Sequence, residues 1–196
     1  HLFDDSFEAF LARDDLPQFD ILALHGVYSW ISAENRARVV QFARKFLKLG
    51  GVLYISYNLL PGWAPLMPLR NLFAGRLTGD GPVQARLNGA MEVARAMAAL
   101  NAGYFDANPY AEPHLERLPT QSGNYLAHEY LNEEWTPQYH SEVARELEAA
   151  KLEFVTNARP AEQLDAVTVP PEAVAVLDRA AGSKLDNHEI ENHDAK

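Results

Sequence analysis

The 196-residue sequence contains no cysteine. Disulfides, thiolate metal sites and a cysteine nucleophile are therefore excluded. No run reaches the roughly eighteen apolar residues that a membrane helix needs, and no signal peptide opens the chain. No membrane partner is expected, and a cytoplasmic location is. Positive charge is scarce: 17 Lys and Arg stand against 27 Asp and Glu, a formal net charge of −10. That balance disfavours sequence-independent binding to phosphate backbones, so no nucleic-acid partner is expected. It suits a basic partner, such as a lysine-bearing protein substrate. A nucleotide-binding glycine fingerprint is missing too. Gly50-Gly51 and Gly79-Asp80-Gly81 do not follow a strand and open a helix, as that motif requires. The chain opens on His1 rather than Met, which fits a cut or processed chain. No repeat is visible.

What is present is ample apolar content, 47%, with 10% aromatics, enough for a buried core. The stretch Phe19 to Trp63 organises the rest. Ile21 to Leu24 is a short apolar run closed by His25-Gly26. Val52 to Ser56 is a second run, carrying Val, Tyr and Ile, which favour a pleated surface. Between them the spacing predicts a helix. Ser32 is its candidate N-cap, Glu34 lies in its first turn, and Arg44, Lys45 and Lys48 lie in its last turns. Gly50 falls where a glycine would follow the C-cap. Ala37, Val40, Ala43, Phe46 and Leu47 share one face. Strand, helix and strand with short connections predict parallel strands and a right-handed crossover.

Ligand sites in such sheets lie beyond the carboxyl ends of the strands. Here those ends read His25-Gly26-Val27-Tyr28-Ser29-Trp30 and Tyr57-Asn58-Leu59-Leu60-Pro61-Gly62-Trp63. From spacing alone, Tyr28, Trp30, Tyr57 and Trp63 are equally well explained as rim residues capping a core.

Elsewhere, Asp5 to Arg13 reads as a short helix. Leu69 to Leu77 and Val83 to Leu100 read as helices, with a turn at Thr78 to Pro82. Asn101 to Pro113 reads as an irregular loop, and Leu115 to Leu118 is too short to assign. Tyr125 to Leu131 reads as helical. Thr136-Pro137 is expected to open another helix, with Pro137 at its first position, running through Val143, Leu147 and Ala150. Leu152 to Thr156 reads as a strand and Asp165 to Val169 as a weaker one. A short helix over Glu172 to Ala181 and a disordered tail from Gly182 complete the pattern.

Seven histidines invite a metal reading. His128-Glu129 lacks the second histidine of a zincin, and His188 and His193 lie in the polar tail, so no metal is expected. A hydrolase built on Ser56, His25 or His128 and an acid is an alternative. No Gly-x-Ser-x-Gly elbow supports it, although triads are recognised by geometry rather than by order.

The segments FDILALHGVYSWI and GGVLYISYNLLPGW resemble the fourth- and fifth-strand regions of class I S-adenosylmethionine-dependent methyltransferases. More narrowly, they resemble the bacterial group that carries a predicted methyltransferase regulatory domain and includes the rickettsial protein-lysine methyltransferases. Asn124 to Val155 resembles that group's second region. The resemblance spans roughly Ser6 to Val169. It implies an α/β fold: the C-terminal part of a Rossmann-like methyltransferase sheet with a helical insertion or regulatory region. The implied organisation is a partial α/β core over 1–63, the helical region over 64–135, a C-terminal helix and strands completing the core over 136–181, and a tail over 182–196.

The resemblance implies S-adenosylmethionine as the intact parent's cofactor, with Asp5, Ser6, His25 and Gly26 on the cofactor side. It implies His25, Tyr28, Tyr57 and Asn58 as catalytic candidates. A histidine near neutrality can take a proton from a nucleophile, aromatic faces accommodate a cation, and an asparagine can orient an amine. Trp30, Trp63, His128, Glu129 and Tyr130 become candidates for the acceptor pocket, the last three with packing as the stronger reading. This sequence departs from the family in lacking both the glycine-rich turn and the acid that holds the ribose. A non-catalytic regulatory or interaction module therefore remains an alternative. So does self-association, or recruitment of the missing N-terminal half, because the family's first strand would flank Ile21 to Leu24.

Overall fold

The apolar runs around His25 and Ser56 form two parallel strands, β1 (Phe19–Leu24) and β2 (Leu47–Ile55). The fold is described from a computed structural model, over residues 1–76, 82–159, 169–170, 173–174, 176 and 179. The expected strand at 165–169 and helix at 172–181 fall largely outside these residues, as does the turn at 78–82, and the tail from 182 falls wholly outside. The chain divides into two units. One comprises His1–Gly62 with Glu134–Lys196, and the other comprises Trp63–Glu133.

In the first unit, α1 (Phe7–Leu11) is capped by Ser6, whose Oγ accepts the Ala9 N–H at 3.1 Å. Helix α2 (Ala33–Phe46) starts where the capping pattern places it, with Ser32 Oγ accepting the Asn35 N–H. Its Val39, Val40, Ala43 and Phe46 are buried. Val39, Val40 and Ala43 cover the sheet face that carries Leu22, Leu24 and Ile55. The α/β class with a small parallel sheet is the one expected.

The boundary after α2 is not the expected one. The helix stops at Phe46 and the chain is already extended at Leu47. Gly50 does not terminate the helix. Phe19 pairs with Leu47 but Ile21 pairs with Val52, so β2 carries extra residues at this point. Gly50 takes up that slack at φ +78°, a conformation that disfavours side chains bearing a Cβ. Lys48 is drawn to the strand by Asp20, its Nζ lying 2.8 and 2.9 Å from the two carboxylate oxygens.

Two further expectations fail in this unit. Residues 136–139 are not helical, and Leu59 and Gln138 form a parallel bridge there. Helix α8 therefore starts at His140 and runs to Glu148, with the Tyr139 N–H donating to the Glu142 carboxylate at 2.8 Å. Residues 152–156 form no strand. Val155 is 84% exposed there and among the described residues no ladder partner meets it, so β propensity alone does not make a strand.

The second unit is helical: α3 (Met67–Arg76), α4 (Val83–Ala99), α5 (Gly103–Ala107), α6 (Ala111–Arg117) and α7 (Gly123–Leu131). The expected loop at 101–113 instead holds α5 and the start of α6. Ala111 and Leu115 are fully buried, so packing rather than propensity orders these short helices. One core joins Leu69, Phe73, Leu87, Ala94, Leu115 and Leu126. Arg70 is buried as well. It donates to the carbonyls of Glu129 and Asn132 at 3.1 and 2.6 Å, meeting carbonyls that the end of α7 leaves without helical donors.

Trp63 and Trp135 are both partly buried. Acrylamide should quench each, in single-tryptophan variants, less efficiently than it quenches free indole. Quenching of both at the free-indole rate would contradict this placement.

Candidate functional site

The turn after β1 begins with Gly26 at φ +65°, a value glycine reaches without strain. The Gly26 N–H donates to Ser56 Oγ at 2.7 Å, which locks this turn to the end of β2. His25 stands exposed at the strand end. Its ring stacks on Tyr54 at 6.0 Å, and its Nδ1 lies 3.0 Å from the Tyr54 hydroxyl and 3.3 Å from Ser56 Oγ. Both contacts use the same ring nitrogen. When Nδ1 carries the proton and donates to one of these oxygens, Nε2 is the side that can accept a proton.

The other catalytic candidates are placed differently. Tyr28 is fully buried. Its hydroxyl makes a short hydrogen bond to Glu146 Oε2. Burial first, and then that carboxylate, push the phenol well above its usual range. It is a structural anchor for the first turn. Tyr57 is partly buried, with its hydroxyl 3.3 Å from His140 Nδ1 and its ring edge-on to Tyr28 at 6.5 Å. Asn58 donates its backbone N–H to the buried Ser29 Oγ at 2.7 Å. Its side-chain Nδ2 is buried without a hydrogen-bond partner. His25, Tyr57 and Asn58 thus share the strand-end region. Trp30 packs beside Trp135, with ring centroids 6.3 Å apart.

Asp5 and Ser6 are occupied locally. Asp5 accepts from the Arg13 guanidinium at 2.9 Å, and Ser6 caps α1. Trp63, His128, Glu129 and Tyr130 lie in the helical unit. There His128 is exposed and Tyr130 is buried, with the Tyr130 hydroxyl 2.6 Å from His114 Nε2. Burial lowers the His114 pKa and raises those of Glu129 and Tyr130. Glu129 Oε2 is buried with no hydrogen bond. Among the described residues no group of three or more His, Asp or Glu could hold a metal ion.

Sequence reasoning missed Glu146, Gln138 and Arg36. Glu146 joins Tyr28 to Gln138, whose Nε2 donates to Glu146 Oε1 at 3.0 Å. Arg36 Nε lies 3.7 Å from Glu146 Oε2. All three line an open cleft of about 510 Å³ together with Leu60 and Arg145. One signal was available: Glu146 lies three residues after Val143, which is on the buried face of α8.

Known proteins resemble this chain in sequence and in fold. Residues 122–188 match the family described as the predicted methyltransferase regulatory domain. An uncharacterised protein of Synechocystis is 47% identical over 179 residues, which is 90% of this chain and 35% of that protein. An uncharacterised protein of Rickettsia prowazekii is 26% identical over 74% of this chain and 26% of its own length. The chain thus spans about a third or less of these curated relatives. The solved structure of PKMT2 from Rickettsia typhi in complex with AdoHcy aligns over 87% of this chain and 33% of its own, with a TM-score of 0.68 at 22% identity. A second structure of PKMT2 aligns with a TM-score of 0.62, at 22% identity over 86% of this chain and 32% of its own. The likeness to these structures is one of fold: the chain has the α/β fold that its strand segments implied.

Proposed function

We propose that this chain furnishes the acceptor side of an S-adenosylmethionine-dependent methyltransferase, and that the acceptor is a protein lysine amine. One observation carries the reading: His25, Tyr57 and Asn58 all follow the carboxyl ends of two parallel strands, the side on which such sheets bind ligands. The reaction is an in-line displacement. The deprotonated amine forms a bond to the methyl carbon, the carbon–sulfur bond breaks, and its electron pair stays on sulfur. His25 Nε2 takes the ammonium proton before attack. Positioning supplies most of the rate. AdoHcy, present in the PKMT2 structure, is the product such a transfer would leave.

A second reading, a regulatory or interaction module without catalysis, is favoured by the match of residues 122–188. The hydrolase reading draws less support. His25 and Ser56 do meet, but among the described residues no carboxylate bonds His25, so the orienting acid of a triad is missing.

Calorimetric titration of the 196-residue chain with S-adenosylmethionine tests the proposal. Without the glycine turn and the ribose acid, the expected dissociation constant is weaker than about 100 μM, corresponding to less than ~5.5 kcal/mol of binding free energy. A low-micromolar constant would contradict it, and would mean that Asp5, His25 and their neighbours form a cofactor pocket of their own.

A further inference from the structure

Glu146 is in the segment that matches the regulatory domain, yet both of its oxygens are committed to holding the strand-end turns. Oε2 accepts from the Tyr28 hydroxyl, the buried anchor of the turn that begins at His25. Oε1 accepts from Gln138 Nε2, and Gln138 brackets the second turn. The Gln138 N–H donates to the Asn58 carbonyl at 3.1 Å, and the Gln138 carbonyl accepts the Leu60 N–H at 3.0 Å. Buried Ser29 closes the circuit. Its carbonyl accepts the Thr136 N–H at 2.9 Å, and its Oγ accepts the Asn58 N–H at 2.7 Å. Arg36, itself 8% exposed, stands beside the carboxylate and offsets its charge.

We infer that Glu146 is a positioning residue, through which the 122–188 segment fixes the two turns that carry His25, Tyr57 and Asn58. Only a carboxylate of this length offers one acceptor oxygen to each of two donors on different segments. Glutamine has a single acceptor, and aspartate is one methylene short. The significance for methyl transfer rests on the proposed function. The geometry does not, and its test needs no transfer.

The test is amide hydrogen exchange on the 196-residue chain. The reporters are Asn58, whose N–H bonds one turn to the other, and Leu60, Thr136 and Gln138, whose N–H groups bond between turns and segment. Glu146→Ala should accelerate exchange at these four sites about tenfold or more while α2 amides from Val39 to Phe46 keep their protection, as local opening does. Glu146→Gln should give a smaller acceleration at the same sites. Tyr28→Phe removes a single hydroxyl, keeps the ring in the core and should act in the same direction, so it decides the matter if the alanine variant does not fold. Glu148→Ala, on the exposed side of α8, should change nothing. Unchanged protection at all four amides in the Glu146 and Tyr28 variants would overturn the inference. So would equal acceleration across α2 and β2, which would make Glu146 an ordinary contributor to global stability. If the localised pattern appears but the full reading frame transfers no methyl group, the positioning role stands and the methyltransferase reading fails.

Discussion

Phe73→Ala should lower the stability of the helical unit by about 3–5 kcal/mol, the usual cost of emptying a phenylalanine site in a packed core. Phe73 is 1% exposed and packs on Tyr130, ring centroids 4.8 Å apart, among Leu69, Leu87, Leu115 and Leu126. Domains hold only about 5–15 kcal/mol in all, so this single change should bring the unit close to unfolding at 37 °C. The loss should be read by exchange at α4 and α7 amides, which fall in this unit. Leu100→Ala supplies the contrast. Leu100 is 81% exposed, and its truncation should stay within about 0.5 kcal/mol. A Phe73 variant as stable as the native chain would mean that this core collapses around the gap, or is not packed as described.

The second large effect concerns association. Among the described residues β1 has one strand neighbour, β2. Register places Ile21 opposite Val52 and Ala23 opposite Tyr54, on the face away from α2. Ile21 is 68% exposed and Val52 is 57% exposed. An apolar strand with open N–H and C=O groups along one edge is a template for pairing, and nothing in Leu22-Ala23-Leu24 discourages it. In a solution of this chain alone, a second copy is the available partner. We therefore expect self-association at tens of micromolar. Ala23→Lys should weaken it about tenfold or more, which corresponds to at least ~1.4 kcal/mol, with little change in the fold. Sedimentation of the unaltered chain as a monomer at that concentration would contradict the expectation.

Much of the first unit was legible because its signals are local. Ser32 reads as a cap, the α2 stripe has helical spacing, and the strands are short apolar runs that end in His25-Gly26 and Ser56. What could not be read depends on distant partners. Gly50 carries the same composition signal whether it terminates a helix or relieves a strand irregularity, and the pairing of Phe19 with Leu47 decides which. Pro137 looks like a helix start until Leu59 is seen to pair with Gln138. Leu152 to Thr156 has strand residues and, among the described residues, no strand beside it. The helices α5 and α6 are shorter than the window over which periodicity can be recognised, and burial of Phe105, Ala111 and Leu115 holds them.

The site followed the same rule. The placement of His25 and Asn58 after the strand ends was legible because β1 and β2 are parallel, and parallel strands gather their following turns at one end. Tyr28 looked like a mouth residue. It is wholly buried because Glu146, 118 positions later, receives its hydroxyl. A glutamate in a helix rich in acids and arginine reads as solvated, so sequence spacing did not disclose its partner.

The most direct test is methyl transfer by the full reading frame that contains this chain. A cofactor labelled on the methyl group and a lysine-bearing protein acceptor are required. The account predicts label on lysine nitrogen. It also predicts that His25→Gln lowers kcat about 10²-fold or more, with KM for the cofactor little changed, as loss of a general base does. Label on lysine at the native rate in the His25 variant, or no label transferred by the native protein, would contradict it.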